Sequence, residues 1–140
     1  HNSLGVSGNL IGLSLDSVDN TLRFANQPAL LAEAVPVIWV PELKDRVVLN
    51  IVDGLICQYL GQTRCLLHYS VPLGQLRFSA DPVALDVLSM LELRNQREAN
   101  GVEMPDPDMT LYENASVVQL GEWNPTRFKP IAWPEPWLVP

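Results

Sequence analysis

Cysteine, histidine and basic residues are scarce in this sequence, and each scarcity narrows the range of functions. The two cysteines, Cys57 and Cys65, lack the close Cys-x-x-Cys spacing of a zinc or redox motif, and they supply no ligand set for an iron–sulfur cluster. They can pair only if the chain between them doubles back; the plainer reading is two small buried hydrophobes. His1 and His68 are the only histidines, so with scattered aspartates they make a sparse ligand set for a metal-dependent hydrolase. Nine Lys and Arg residues stand against sixteen Asp and Glu, giving a net charge of −7. Binders of the phosphate backbone normally show a basic face, so nucleic acid is not an expected partner. The same holds for an anionic membrane surface reached through a polybasic patch. Long apolar runs are missing as well. The stretch from Val35 to Val40 is broken by Pro36 and stopped by Pro41, far short of a membrane-spanning helix.

What is present suits a soluble globular domain. Apolar residues make up 47% of 140 residues, enough for one core of ordinary size. The chain opens with His1 rather than methionine and shows no signal peptide. The expectation is that an upstream segment has been removed, and either a cytoplasmic location or export with the signal removed fits. Two regions are expected: an α/β domain over residues 1–124 and a proline-rich extended tail over 125–140.

Along the chain, Gly5, Gly8 and Gly12 disfavour a long helix and predict a glycine-rich turn leading into a short one. A short helix is expected from Gln27 to Val35, ended by Pro36. Arg46 to Val52 (Arg-Val-Val-Leu-Asn-Ile-Val) reads as a buried strand. Asp53 and Gly54 then turn into a helix running through Leu60 to Gly61. Further strands are expected over Cys65–Tyr69 and Gln75–Ala80, separated by Pro72 and Gly74. Asp81 caps the best-defined helix, Pro82 sits at its first position, and Ala84, Val87, Leu88 and Leu91 share one face. Gly101 closes it. A last helix runs from Thr110 to Leu120 with Gly121 as its stop, and the tail holds one short strand over Arg127–Ala132. Strand–helix alternation predicts an α/β fold with layered helices on a small, mostly parallel sheet, an incomplete half of a larger domain.

The chemistry-bearing candidates are carboxylates at expected strand ends. Asp53 after the buried strand and Asp81 after another stand where open α/β sheets gather ligands. Together with Asp86 they form the candidate catalytic set, suited to acid/base work or to a divalent cation of unspecified identity. The plainer reading of Asp53 and Asp81 is helix capping. Asp86 lies nearly opposite the apolar stripe, away from the core face, solvated or facing a segment not visible here. His1, Gly5, Ser7 and Gly8 form a candidate ligand-binding turn, since such a loop presents N–H groups and a hydroxyl to an anion. It lacks the Gly-Lys-Ser/Thr of a phosphate loop. His68 reads as a structural histidine. The tail tryptophans Trp133 and Trp137, with Trp123, either line a groove or clamp the tail to its own domain. The Asn114-Ala115-Ser116 sequon falls in an expected helix.

Three blocks, taken in order, resemble one family: His1-Asn2-Ser3-Leu4-Gly5-Val6-Ser7-Gly8, Leu49-Asn50-Ile51-Val52-Asp53-Gly54-Leu55 and Asp81-Pro82-Val83-Ala84-Leu85-Asp86. They are similar to blocks of the family catalogued as domain of unknown function 362, over roughly residues 1–122. Where that family carries Lys-Asn after its glycine turn, this chain has Ile11 and Gly12. The resemblance implies that the chain starts mid-domain, with an amino-terminal half absent or supplied by another chain. It also implies an association with redox, iron–sulfur-linked proteins; no cofactor is specified. Two functions follow as expectations: a ligand-binding or catalytic α/β domain of a redox-associated protein, or a non-catalytic assembly subunit that completes a sheet with a partner chain.

Overall fold

The computed structural model describes residues 5–6, 8–10, 27, 29–30, 32–34, 36–37, 44–61 and 64–131. Within them, two strands and two helices carry the architecture: β1 (Asn50–Gln58), β2 (Ser70–Ser79), α1 (Pro82–Ala99) and α2 (Thr110–Val117). A 3-10 turn, Leu67–Tyr69, lies in the connection between the strands.

The strands form a two-stranded antiparallel hairpin, which corrects the expected mostly parallel sheet. Asp53 and Gly54 do not turn the chain. They sit inside β1, opposite Leu76 and Gln75, and the apolar residues after them continue the strand instead of starting a helix. Short apolar runs look alike in helix and strand, and here the pairing across to β2 decides. Gly54 fits because its partner strand comes close: a Cβ there would meet the Gln75 carbonyl oxygen at 3.1 Å. Pro72 and Gly74, expected to separate two strands, lie within β2, where the register slips between Gly54 and Ile56 and Gly74 takes φ +63°. An edge strand tolerates such residues because one of its sides makes no ladder bonds. Cys65–Tyr69 forms the approach to the hairpin and its 3-10 turn, not a strand.

Helix α1 begins as its sequence predicts, with Pro82 at the first position and the Asp81 carboxylate accepting from the Ala84 N–H at 2.9 Å. It ends in a Schellman turn: the Gly101 N–H reaches the Glu98 carbonyl, the Val102 N–H reaches the Arg97 carbonyl, and Gly101 takes φ +68°. Helix α2 is shorter than expected. It stops at Val117 in the same kind of turn, with Gln119 at φ 59° in the place glycine usually fills. Helical residues also occur at 6, 8–10, 29–30, 32–34 and 36–37; Pro36 is itself helical and buried, not a terminator. The described residues 127–131 form no strand.

The core lies around the first half of α1. Val83, Leu85 and Val87 are buried together with Leu111, Tyr112 and Ala115 of α2 and with Val6, Leu10 and Ala32. Val52 of β1 packs on this cluster, as do Trp123 and Phe128. Each fully buried aliphatic side chain contributes about 1.5–3 kcal/mol. With neighbours on several sides, α1 has no solvent face over Val83–Val87, and all five residues are buried. Its second half is more open and is tied to the hairpin by Arg77–Glu92 (3.3 Å) and by Arg97 Nε donating to the Tyr59 carbonyl at 3.0 Å.

Candidate functional site

Asp81 stands where β2 turns into α1. Its own N–H donates to Ser79 Oγ at 2.9 Å, a side-chain turn that starts the corner. Buried Asn50, paired with Ser79, donates its amide to the Ser79 carbonyl at 3.2 Å and so holds the end of the hairpin. The Asp81 carboxylate then divides its two oxygens. Oδ1 caps α1 through Ala84, and Oδ2 accepts the Glu122 N–H at 2.8 Å, fixing the chain that leaves α2. Gly121 is the residue that permits this approach, because a Cβ there would fall 2.8 Å from both the Asp81 Cγ and the Val83 Cβ. Expected as a helix stop, Gly121 instead makes room for the Asp81 carboxylate.

Asp86 is 1% exposed, contrary to the expected position away from the core. The helix face opposite the apolar stripe is covered by residues around Gly5 and by α2. Asp86 Oδ1 accepts the Val6 N–H at 2.9 Å, and the Tyr112 hydroxyl lies 3.5 Å from Oδ2. Gly5 (φ +120°) is required here, since a Cβ on it would stand 2.7 Å from Asp86 Oδ1. The structure therefore brings two candidate groups together in an unforeseen way. A main-chain N–H of the glycine-rich turn meets a carboxyl oxygen, and that oxygen is the chain's own. Gly8 is half-buried in the helical turn that follows, and His1 and Ser7 lie outside the described residues.

Asp53 joins neither of them. It sits mid-strand in β1, exposed, with Oδ1 accepting the Leu55 N–H at 2.9 Å. Its cross-strand partner is Leu76, three strand residues (about 10 Å) before Ser79, where the chain turns toward Asp81. No shared carboxylate edge results. Among the described residues no three His, Cys, Asp or Glu side chains gather as a metal ion would need.

The remaining candidates have local roles. His68 is exposed in the 3-10 turn with its ring centroid 4.1 Å from that of Tyr69, which meets Tyr59 edge-on at 6.2 Å. Both cysteines are free thiols; Cys57 is half-buried and Cys65 exposed. Burial and the nearby Glu92 carboxylate push the Cys57 thiol up, against the pull of Arg77 and Arg97. The Asn114 side-chain amide donates to the Ala32 carbonyl at 2.9 Å. Trp133 and Trp137 lie outside the described residues.

Spacing gave no sign of the outward face of the hairpin. Ile51 lies opposite Phe78 and Asp53 opposite Leu76. Directly opposed residues share a face, and no described residue buries this one: Ile51 and Phe78 are each 58% exposed and Leu76 is 55% exposed. Leu55, two residues beyond Asp53, and Leu49, two before Ile51, are exposed as well. The alternate residues Asn50, Val52 and Gly54 are buried or half-buried on the other side. The alternation is masked in the sequence because the Asp53-Gly54 pair, with its turn character, stands in the middle of β1.

No helix of the described residues is long and apolar enough to cross a membrane. No family model, no curated protein and no solved structure matches the chain, so the resemblance of the Asp-Pro-Val-Ala-Leu-Asp block stays an expectation.

Proposed function

We propose that this chain is an assembly module whose β1–β2 hairpin docks a partner through its outward face. The observation that carries the reading is the exposed cross-strand set Ile51, Phe78 and Leu76 on a hairpin whose other face reaches the core through Val52. With Leu49 and Leu55 the exposed apolar area is on the order of 500 Å², the size of the largest patch on a typical monomer, which is often a functional one. The edges of the hairpin are less suited to adding a strand. Pro72 in β2 has no N–H to offer, and the Leu55 N–H of β1 is taken by Asp53. Face-to-face packing is the favoured mode.

The alternative, a catalytic or ligand-binding redox domain, draws no support from the carboxylates. Asp81 spends both oxygens on main-chain N–H groups, and Asp86 is enclosed between α1, α2 and the Gly5 turn. Sedimentation velocity of the protein as isolated from its source, alongside Ile51→Lys and Phe78→Lys variants, tests the assembly reading. The wild type is expected in a species larger than one chain. The variants are expected to run as single chains with urea midpoints close to wild type, since an exposed site tolerates substitution. A wild type that runs as a single chain, or Lys variants that unfold, would overturn the reading: the face would then be surplus or part of the chain's own core.

A further inference from the structure

The placement of Asp53 says what kind of surface the hairpin face is built to meet, an inference that rests on the docking reading above. Its exposed carboxylate has apolar neighbours in the strand register: Leu76 directly opposite, Phe78 diagonally across, and Ile51 and Leu55 two residues to either side along β1. Direct pairs lie about 4.5–5.5 Å apart and diagonal ones about 7–8 Å, which sets Leu76 beside the carboxylate and Phe78 within reach of it. Oδ1 holds the Leu55 N–H, while Oδ2 takes no bond from a described residue. Covering this face with a purely apolar surface would strip water from an anion and return nothing for it, a cost that makes buried unpaired charges rare. Covering it with a second copy would bring another carboxylate, and the same −7 net charge, toward the first.

We infer that the partner surface carries one guanidinium or ammonium group ringed by apolar side chains, the complement of Asp53 in its apolar surround. Arginine suits best, since its planar fork takes a carboxylate oxygen while its stem and flat faces pack on Leu76 and Phe78. The acidic net charge of the chain favours approach of such a surface.

The test is a display selection of random twelve-residue peptides on the full-length chain, followed by affinity measurements of the enriched peptides on wild type, Asp53→Asn and Phe78→Lys at two salt concentrations. Asparagine keeps the acceptor for the Leu55 N–H, so the strand is unchanged and only the charge is lost. Enriched peptides are expected to share an Arg or Lys flanked by apolar residues, to bind Asp53→Asn about tenfold more weakly, and to weaken as salt rises. Peptides that lose binding to Phe78→Lys yet carry no cation, or that bind Asp53→Asn as well as wild type, would leave the docking face standing and overturn its cationic partner. Self-association that appears only in Asp53→Asn would overturn the inference too, making the charge a device that keeps copies apart. No enrichment at all, or enrichment indifferent to Phe78→Lys, would count against the docking face itself.

Discussion

Replacing Asp81 separates its role in the framework from any role in chemistry, and the cost can be worked from two bonds. Asp81→Ala removes the cap on α1, worth about 1 kcal/mol. It also leaves the half-buried Glu122 N–H without its acceptor, a loss of about 1–3 kcal/mol, toward the lower end because water can reach the site. The sum is about 2 kcal/mol, or about 6–8 °C in melting temperature for a chain of this length. Asp81→Asn divides the effect. Its carbonyl oxygen still caps Ala84, but its NH2 group faces the Glu122 N–H, donor against donor, so about half of the loss should appear. Urea unfolding followed by far-UV circular dichroism measures both variants. Hydrogen exchange at the Glu122 amide, faster in both, reports the second bond directly. An alanine variant within about 0.5 kcal/mol of wild type, or an asparagine variant as damaging as alanine, would refute the two-bond account.

Further predictions come from neighbouring residues. Gly121→Ala should destabilise the fold, and less so in an Asp81→Ala background, because one of the two obstructing groups is then gone while Val83 remains; a double-mutant cycle in urea reads the coupling. Gln119→Gly should stabilise by about 1 kcal/mol, since a side chain in the left-handed region costs about 1–2 kcal/mol that glycine avoids, less the entropy glycine loses on folding. The Thr110 hydroxyl and N–H hold the exposed Asp108 carboxyl below its ordinary range. That small contribution to stability is therefore present above about pH 4 and lost as pH falls through the folded value. Thr110→Val should move the Asp108 carboxyl titration, followed by NMR, back toward the ordinary range. Iodoacetamide with mass spectrometry should label exposed Cys65 before Cys57, whose thiolate is disfavoured by burial and by Glu92; equal rates would contradict the placement of Cys57.

Local signals were readable where the chemistry of a single turn decides the structure. Asp81 with Pro82 marks a helix start, and Gly101 marks its end, because cap and left-handed turn depend on residues within a few positions. The hairpin was not readable for the opposite reason. Whether Leu55 and Ile56 extend a strand or begin a helix depends on Pro72 to Gln75, some eighteen residues on, which come alongside in an antiparallel register. Gly54 and Gly74 carry turn character in any local reading, yet the first accommodates a close neighbour strand and the second a slip in register. Asp86 failed for a related reason. Helical periodicity sets it opposite the stripe, but its burial comes from Val6 and Tyr112, eighty residues before and twenty-six after it.

These long-range ties bear on what the Asp-Pro-Val-Ala-Leu-Asp block signifies. Every residue in it has a structural occupation: Asp81 joins the start of α1 to the exit of α2, Pro82 opens the helix, Val83, Ala84 and Leu85 are buried, and Asp86 anchors the Gly5 turn. Two carboxylates five positions apart, the first at a strand end, resemble a reaction centre because acids at strand ends often form one. The same chemistry, an oxygen that accepts hydrogen bonds strongly, serves equally to collect main-chain N–H groups from segments that no regular structure pairs. The two uses leave different signatures. A framework acid meets N–H groups of its own chain and is matched by glycines that clear its path, as Gly121 clears Asp81 and Gly5 clears Asp86. An acid kept for a partner stands in the open among apolar neighbours, its remaining oxygen turned to no group of its own fold. Of the three candidate aspartates only Asp53 keeps an oxygen that takes no bond from a described residue, and the docking proposed for the hairpin rests on that difference.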